Sequence, residues 1–328
     1  MPNLSTTYMG LKLTSPVIVG SCSLSKRVVA IQAAEAAGAG ALVIKSLFEE
    51  QIQLESVKLD AELNNYAEMI GEALSFHPKF EHGGPSEHLL WVEKARKAVK
   101  MPLIASLNAI STGEWTRYAV QLENTGVDAL ELNLFSVITD PGLSGHDVMK
   151  AMLSIVHEIR SRVRIPISIK MSPYFAAPLY AAAEFEKAGA NALVLFNRLA
   201  QPDIDIHSEK LSTGMVLSAH EEIGHSLRWI GLMHGIAKTD LCAATGIHTS
   251  DCLIKALLAG ASAVQVVSTL YMHGVKHIST LNQGLTEWMN VKGYRSIGDF
   301  QGKVSRQRTT DPYAFERAQY VKALLGFD

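Results

Sequence analysis

Eight short apolar runs recur along the 328 residues, each followed by small or polar residues and then by a helical pattern. They cover 16–21, 41–45, 103–106, 129–133, 167–170, 192–197, 241–245 and 263–267. The runs are near-continuously apolar rather than alternating, as strands buried on both faces are. Parallel strands need crossovers of about a dozen residues, and amphipathic segments of that size separate these runs, from 26–37 to 276–290. Glycine-containing steps such as Ala37-Gly38-Ala39 and Ala188-Gly189-Ala190 close several helices just before the next strand, because glycine past a helix end accepts the left-handed conformation. Eight such units predict an α/β fold of the (β/α)8 TIM-barrel type, with an open doubly wound sheet as the alternative.

The expected organisation is a single barrel over 1–303 with a C-terminal extension over 304–328, helical from Tyr313 to Leu325 and suited to packing on a neighbouring subunit in a homodimer. Two segments break the repeat, 47–86 and 198–216, and both follow strand C-terminal ends, the face on which barrels build their sites. A net charge of -2 gives no electrostatic footprint for nucleic acid or anionic lipid. Three scattered cysteines make neither a disulfide framework nor a zinc site. Without an apolar run of roughly 18 residues or a signal-peptide start, the expectation is a cytoplasmic protein with no membrane partner.

The polar residues at the strand ends are Ser21, Lys45, Asn133, Lys170, Asn197, Thr245 and Ser268. Two lysines and two asparagines on one barrel face predict a cationic, hydrogen-bonding floor for a polar or anionic planar small molecule. After strands seven and eight come Thr245-Gly246-Ile247-His248-Thr249 and Ser268-Thr269, where barrels commonly hold phosphate on free backbone N–H groups. His220-Glu221-Glu222-Ile223-Gly224-His225 suggests the zinc motif HExxH, but histidines five apart do not share a helix face, so no metal site is expected. Ser136 leads into Asp140-Pro141-Gly142, which has the composition of a hinged lid.

From about residue 5 to residue 303 the chain resembles the FMN-dependent dihydroorotate dehydrogenases. The resemblance rests on Lys45-Ser46, Glu131-Leu132-Asn133-Leu134, Ile169-Lys170 with Pro173-Tyr174-Phe175, Asn197, and the run from Lys292-Gly293-Tyr294 to Lys303. It implies FMN across the barrel mouth, with Gly20 and Ser21 near the ring and Lys45 and Lys170 against the isoalloxazine. It also implies that Asn133 and Asn197 bind flavin and substrate, and that Thr245, Gly246, Ser268 and Thr269 hold the phosphate. Ser136 matches the family's base, which takes a proton while a hydride passes from the dihydropyrimidine to the flavin. Cytosolic members carry cysteine there and membrane-associated members serine; this chain has the serine without the N-terminal membrane extension. Glu68 and Ile138 stand where the family carries asparagines for the substrate ring, and Arg198 where it carries a small polar residue, so the implied substrate contacts are Lys45, Asn133, Asn197, Glu68 and Arg198. A Schiff-base lyase using Lys170 or Lys45 and a flavin-binding protein without turnover are the rival readings.

Overall fold

The computed structural model describes residues 2–48, 84–108, 112–135, 137–199, 201–212 and 216–326. An antiparallel hairpin, β1 (Thr6–Tyr8) and β2 (Leu11–Leu13), comes first. The barrel strands are β3 (Val17–Val19), β4 (Ala41–Phe48), β5 (Leu103–Asn108), β6 (Ala129–Leu132), β7 (Ile167–Lys170) and β8 (Ala192–Leu195). A second exposed hairpin, β9 (Asp203–Asp205) with β10 (Lys210–Ser212), precedes the last two barrel strands, β11 (Asp240–Ala244) and β12 (Ala263–Val266). Every barrel pairing is parallel, and the sheet closes in the order β11-β12-β3-β4-β5-β6-β7-β8. The eight runs read from the sequence are these eight strands. The open-sheet alternative is excluded by the β12–β3 pairing, which joins Val264 to Val17 and closes the ring.

Among the described residues the helices are α1 (Val28–Ala36), α2 (Gly84–Ala98), α3 (Thr112–Asn124), α4 (Gly145–Arg162), α5 (Pro178–Lys187), α6 (Ile223–Met233), α7 (Ser250–Ala259), α8 (Ser268–His273), α9 (His277–Lys292) and α10 (Arg317–Leu325). Side-chain caps start two of them: Ser144 Oγ accepts from Asp147 N at 3.1 Å for α4, and Thr249 caps α7. No helix among the described residues is long and apolar enough to cross a membrane.

Strand alternation divides the core in two. Val17, Leu42, Ile44, Leu103, Leu130, Ile169 and Leu193 face outward onto the helices, in one large cluster. The inward set is separate and begins with Ala41, Ala129, Ala192 and Ala263. These four come from alternate strands, as a barrel layer of four does. Small residues suffice there because the N-terminal hairpin plugs the barrel from below with Tyr8, Met9 and Leu13. The plug is fastened by Met9 N to Asp240 Oδ2 at 2.7 Å and Thr6 Oγ1 to Ser262 O at 3.0 Å. The apolar periodicity gave no sign of it, since a three-residue strand has no room to show a pattern.

The C-terminal segment returns along the barrel's own surface. Arg306 N donates to Gly231 O at 2.9 Å, Arg228 donates to Phe315 O at 2.9 Å, and Arg306 pairs with Glu316 at 2.7 Å. The helical expectation for this region resolves into a 3-10 turn at Pro312–Phe315 followed by α10.

Tyr8 is fully buried, and its hydroxyl lies beside Ser168 without hydrogen-bond geometry. The plug therefore acts through the ring. Tyr8→Ala is expected to cost about 3–5 kcal/mol, the usual loss for a buried aromatic. Tyr8→Phe is expected to stay within about 1 kcal/mol of the parent. Urea unfolding of both variants checks this.

Candidate active site

At the C-terminal mouth, a cleft of about 210 Å³ is lined by residues from β3, β7, β8, β11 and β12 and the loops that follow them. It gathers Ser21, Lys170, Asn197, Arg198, Thr245, Gly246 and Ser268, seven of the residues singled out from the sequence.

The floor of the cleft is a triangle of long side chains. Lys170 Nζ donates to Gln265 Oε1 at 3.1 Å and lies 3.5 Å from Glu131 Oε1. Gln265 Nε2 donates to Glu131 Oε2. β6 and β12 stand four strands apart whichever way the ring is counted, so the Glu131–Gln265 bond spans the barrel's diameter. Glu131 is wholly buried, whereas the Lys170 side chain keeps 13% exposure, toward the cleft. The floor is thus not the cationic surface expected from the lysines: a carboxylate one layer down offsets Lys170.

The far wall consists of the turn after β11 and the start of α8. Thr245 and Gly246 have φ of 74° and 77°, so the chain reverses sharply as it leaves the strand. Among the described residues, the N–H groups of Gly246 and Ile247 donate to no acceptor. A side chain at Gly246 would place its Cβ 2.3 Å from Ile223 N, so only glycine lets this turn seat against α6. Ser268 Oγ accepts from Ser218 N at 3.0 Å, and Ser218 Oγ meets His248 Nε2 at 3.1 Å. Burial pushes the His248 imidazole below its ordinary range. Thr269 is fully buried, its hydroxyl on His248 O at 3.3 Å, and it braces this wall from beneath.

The remaining residues ring the mouth. Asn197 Nδ2 donates to Asn133 Oδ1 at 3.0 Å, a pairing that leaves the Asn133 amine and the Asn197 carbonyl oxygen directed elsewhere. Ser21, Ser46 and Ser106 form a hydroxyl chain across β3, β4 and β5, with Oγ separations of 3.1 and 2.7 Å. Lys45 sits at a bulge in β4, between Ile44 and Leu47. It does not line the cleft; burial and then its positive charge hold His88 down to about 4. Gly20 lies behind the floor, where an added Cβ would sit 2.7 Å from Val267 Cγ2.

Arg198, expected at the substrate, is held at the rim by Glu222 at 2.9 Å and by the Val216 carbonyl. Burial alone would raise the Glu222 carboxyl, but hydrogen bonds from Arg198 and from Ala219 N outweigh it and hold the group low. The HExxH-like stretch is therefore a staple that fixes the segment over the cleft. No group of three potential metal ligands occurs among the described residues. Ser136 and Glu68 lie outside the described residues. Sequence reasoning missed Glu131 and Gln265 as site residues because it weighed only polar groups at the strand ends; the available signal was a carboxylate and an amide inside otherwise apolar strands.

The family model described as dihydroorotate dehydrogenase matches residues 80–289. Among curated proteins, the chain is 28% identical over 317 residues to "Dihydroorotate dehydrogenase B (NAD(+)), catalytic subunit" of Thermoplasma volcanium, covering 92% of this chain and 98% of that one. It is 25% identical over 320 residues to the protein of the same name from Thermoplasma acidophilum, covering 93% and 100%. It is 26% identical over 194 residues to "Dihydroorotate dehydrogenase A (fumarate)" of Limosilactobacillus reuteri, covering 55% and 60%. With a closed eight-stranded parallel barrel and a family match over well beyond half its length, the chain belongs to the dihydroorotate dehydrogenase family.

Proposed function

We propose that the protein is an FMN-dependent oxidoreductase that oxidises dihydroorotate to orotate, a step of pyrimidine biosynthesis. The observation that carries this is the cleft itself. It joins an amine and paired amides at one end to a turn with unused N–H groups at the other, a donor set that fits a polar ring and an anionic phosphate.

Bound FMN supplies the hydride acceptor for the reaction. Gly246, Ile247 and Ser268 hold the phosphate through N–H and hydroxyl groups, with Thr245 shaping the turn and Thr269 bracing it. Lys170 presents its amine to the ring from the floor, where a preorganised donor steadies charge that develops during reduction. Ser21 and Gly20 form the adjoining wall. Asn133 and Asn197, fixed by their mutual bond, orient the substrate together with Lys45. Arg198 reaches the pocket from the rim, and Glu68 is proposed as a further substrate contact. Ser136 takes the substrate proton and passes it to an oriented water, since a serine needs a relay at neutral pH. Lys170 already donates to Gln265 and pairs with Glu131, which does not suit the free amine lone pair that a Schiff-base lyase needs.

Purified protein is expected to be yellow, with colour released on denaturation, and dihydroorotate is expected to bleach it without oxygen. Colourless protein that takes up no FMN sinks the cofactor; bleaching by another dihydropyrimidine but not by dihydroorotate sinks the substrate. Stopped-flow reduction of Ser136→Ala is expected to be slower by about 10²-fold or more, at unchanged FMN affinity. Gly246→Ala forces an alanine into positive φ against the α6 backbone, a strain of about 1–3 kcal/mol. It is expected to weaken FMN binding at least about tenfold, read by fluorescence quenching.

A further inference from the structure

Glu131 is the buried group that the proposed mechanism leaves without work. It contributes a negative charge at the centre of the barrel, with no exposure, and its Oε1 accepts no hydrogen bond among the described residues. Nearby titratable groups do not share that charge: burial pushes the Cys242 thiol and the Tyr8 phenol up, so both stay neutral around neutral pH. Cys22, beyond Lys170, is likewise pushed up by burial. Lys170 is the cation that meets Glu131, at 3.5 Å.

The Gln265 amide fixes how the two charges sit. Its nitrogen faces the carboxylate and its oxygen faces the ammonium, the one orientation in which a neutral amide satisfies both. Because Gln265 reaches in from the strand diametrically opposite Glu131, the lysine is held from two directions. The result is a floor that offers a hydrogen-bond donor while carrying no net charge.

We propose that Glu131 is a positioning residue that acts through Lys170. With Gln265 it aims the Lys170 amine at the cofactor, and its negative charge lowers the electrostatic bias that Lys170 exerts toward the reduced, more negative flavin. The inference rests on the FMN reading above. Its consequence is opposite in sign for the two charged partners. Removing the lysine leaves a buried negative charge and disfavours reduced flavin. Removing the carboxylate leaves a positive charge and favours it.

The test is the reduction potential of bound FMN at pH 6.5, by dye equilibration, in the full-length holoprotein. Glu131→Gln is expected to shift the equilibrium about tenfold toward reduced flavin, about 30 mV for a two-electron couple. Lys170→Met is expected to shift it at least as far the other way, and Glu131→Asp, which keeps the charge, to return it toward the wild-type value. Should Glu131→Gln fail to fold, the Glu131→Gln/Lys170→Met double variant, which buries no lone charge, is expected to lie about tenfold above Lys170→Met. Shifts of the same sign for Glu131→Gln and Lys170→Met, or no difference between the double variant and Lys170→Met, overturn the inference while leaving the cofactor in place. A wild-type protein that binds no flavin overturns both.

Discussion

A closed barrel must fill its own axis, and everything at the mouth of this one stands on what fills it. The lower interior is filled by alanines and the Tyr8 plug, the middle by Ile18, Val43, Ile104, Val194 and Cys242. Above them the packing changes from apolar to polar, with Glu131, Gln265 and Lys170 meeting across the diameter. Buried polar groups are tolerated when each finds a partner and costly when one is lost. This triangle is therefore both a lid on the apolar core and a rigid base for the cleft. The serine chain of Ser21, Ser46 and Ser106 and the Asn133–Asn197 pair stand around it.

The division of labour around the ring follows from topology. β7 and β8 bring Lys170 and Asn197 to one side of the cleft, and the units of β11 and β12 bring the Thr245–Gly246 turn and Ser268 to the other. The segment after β10 closes over the second side, stapled by Arg198–Glu222 and by Ser218 to Ser268 and His248. The wall formed by the Thr245–Gly246 turn and Ser268 is thus built from neutral hydrogen-bonding groups, and the two cations that line the cleft, Arg198 and Lys170, are each already paired.

The strands, the order of their crossovers and the polar part of the cleft lining at the strand ends were legible in the sequence, because strand ends on one barrel face necessarily converge. Lys170, Asn197, Thr245, Gly246 and Ser268 could be picked out for that reason alone. Three features were not legible. Tyr8 enters the barrel from outside its repeat. Glu131 and Gln265 are 134 residues apart and meet because their strands are diametrically opposite, a relation no local pattern encodes. Glu222 looked like part of a failed metal motif, and its role emerges only once Arg198 is seen reaching it. Lys45 lies at the bulge of β4, between Ile44 and Leu47, and outside the lining of this cleft.

In the proposed holoprotein the Glu131–Lys170–Gln265 floor and the Thr245–Ile247 turn hold the two ends of one flavin. A crystal structure of the protein with FMN measures this directly. The phosphate is expected within hydrogen-bond distance of Gly246 N, Ile247 N and Ser268 Oγ, and the ring within hydrogen-bond distance of Lys170 Nζ, with all three floor contacts preserved. A phosphate bound elsewhere, or a Lys170 that leaves Glu131 and Gln265 to reach the ring, would contradict it.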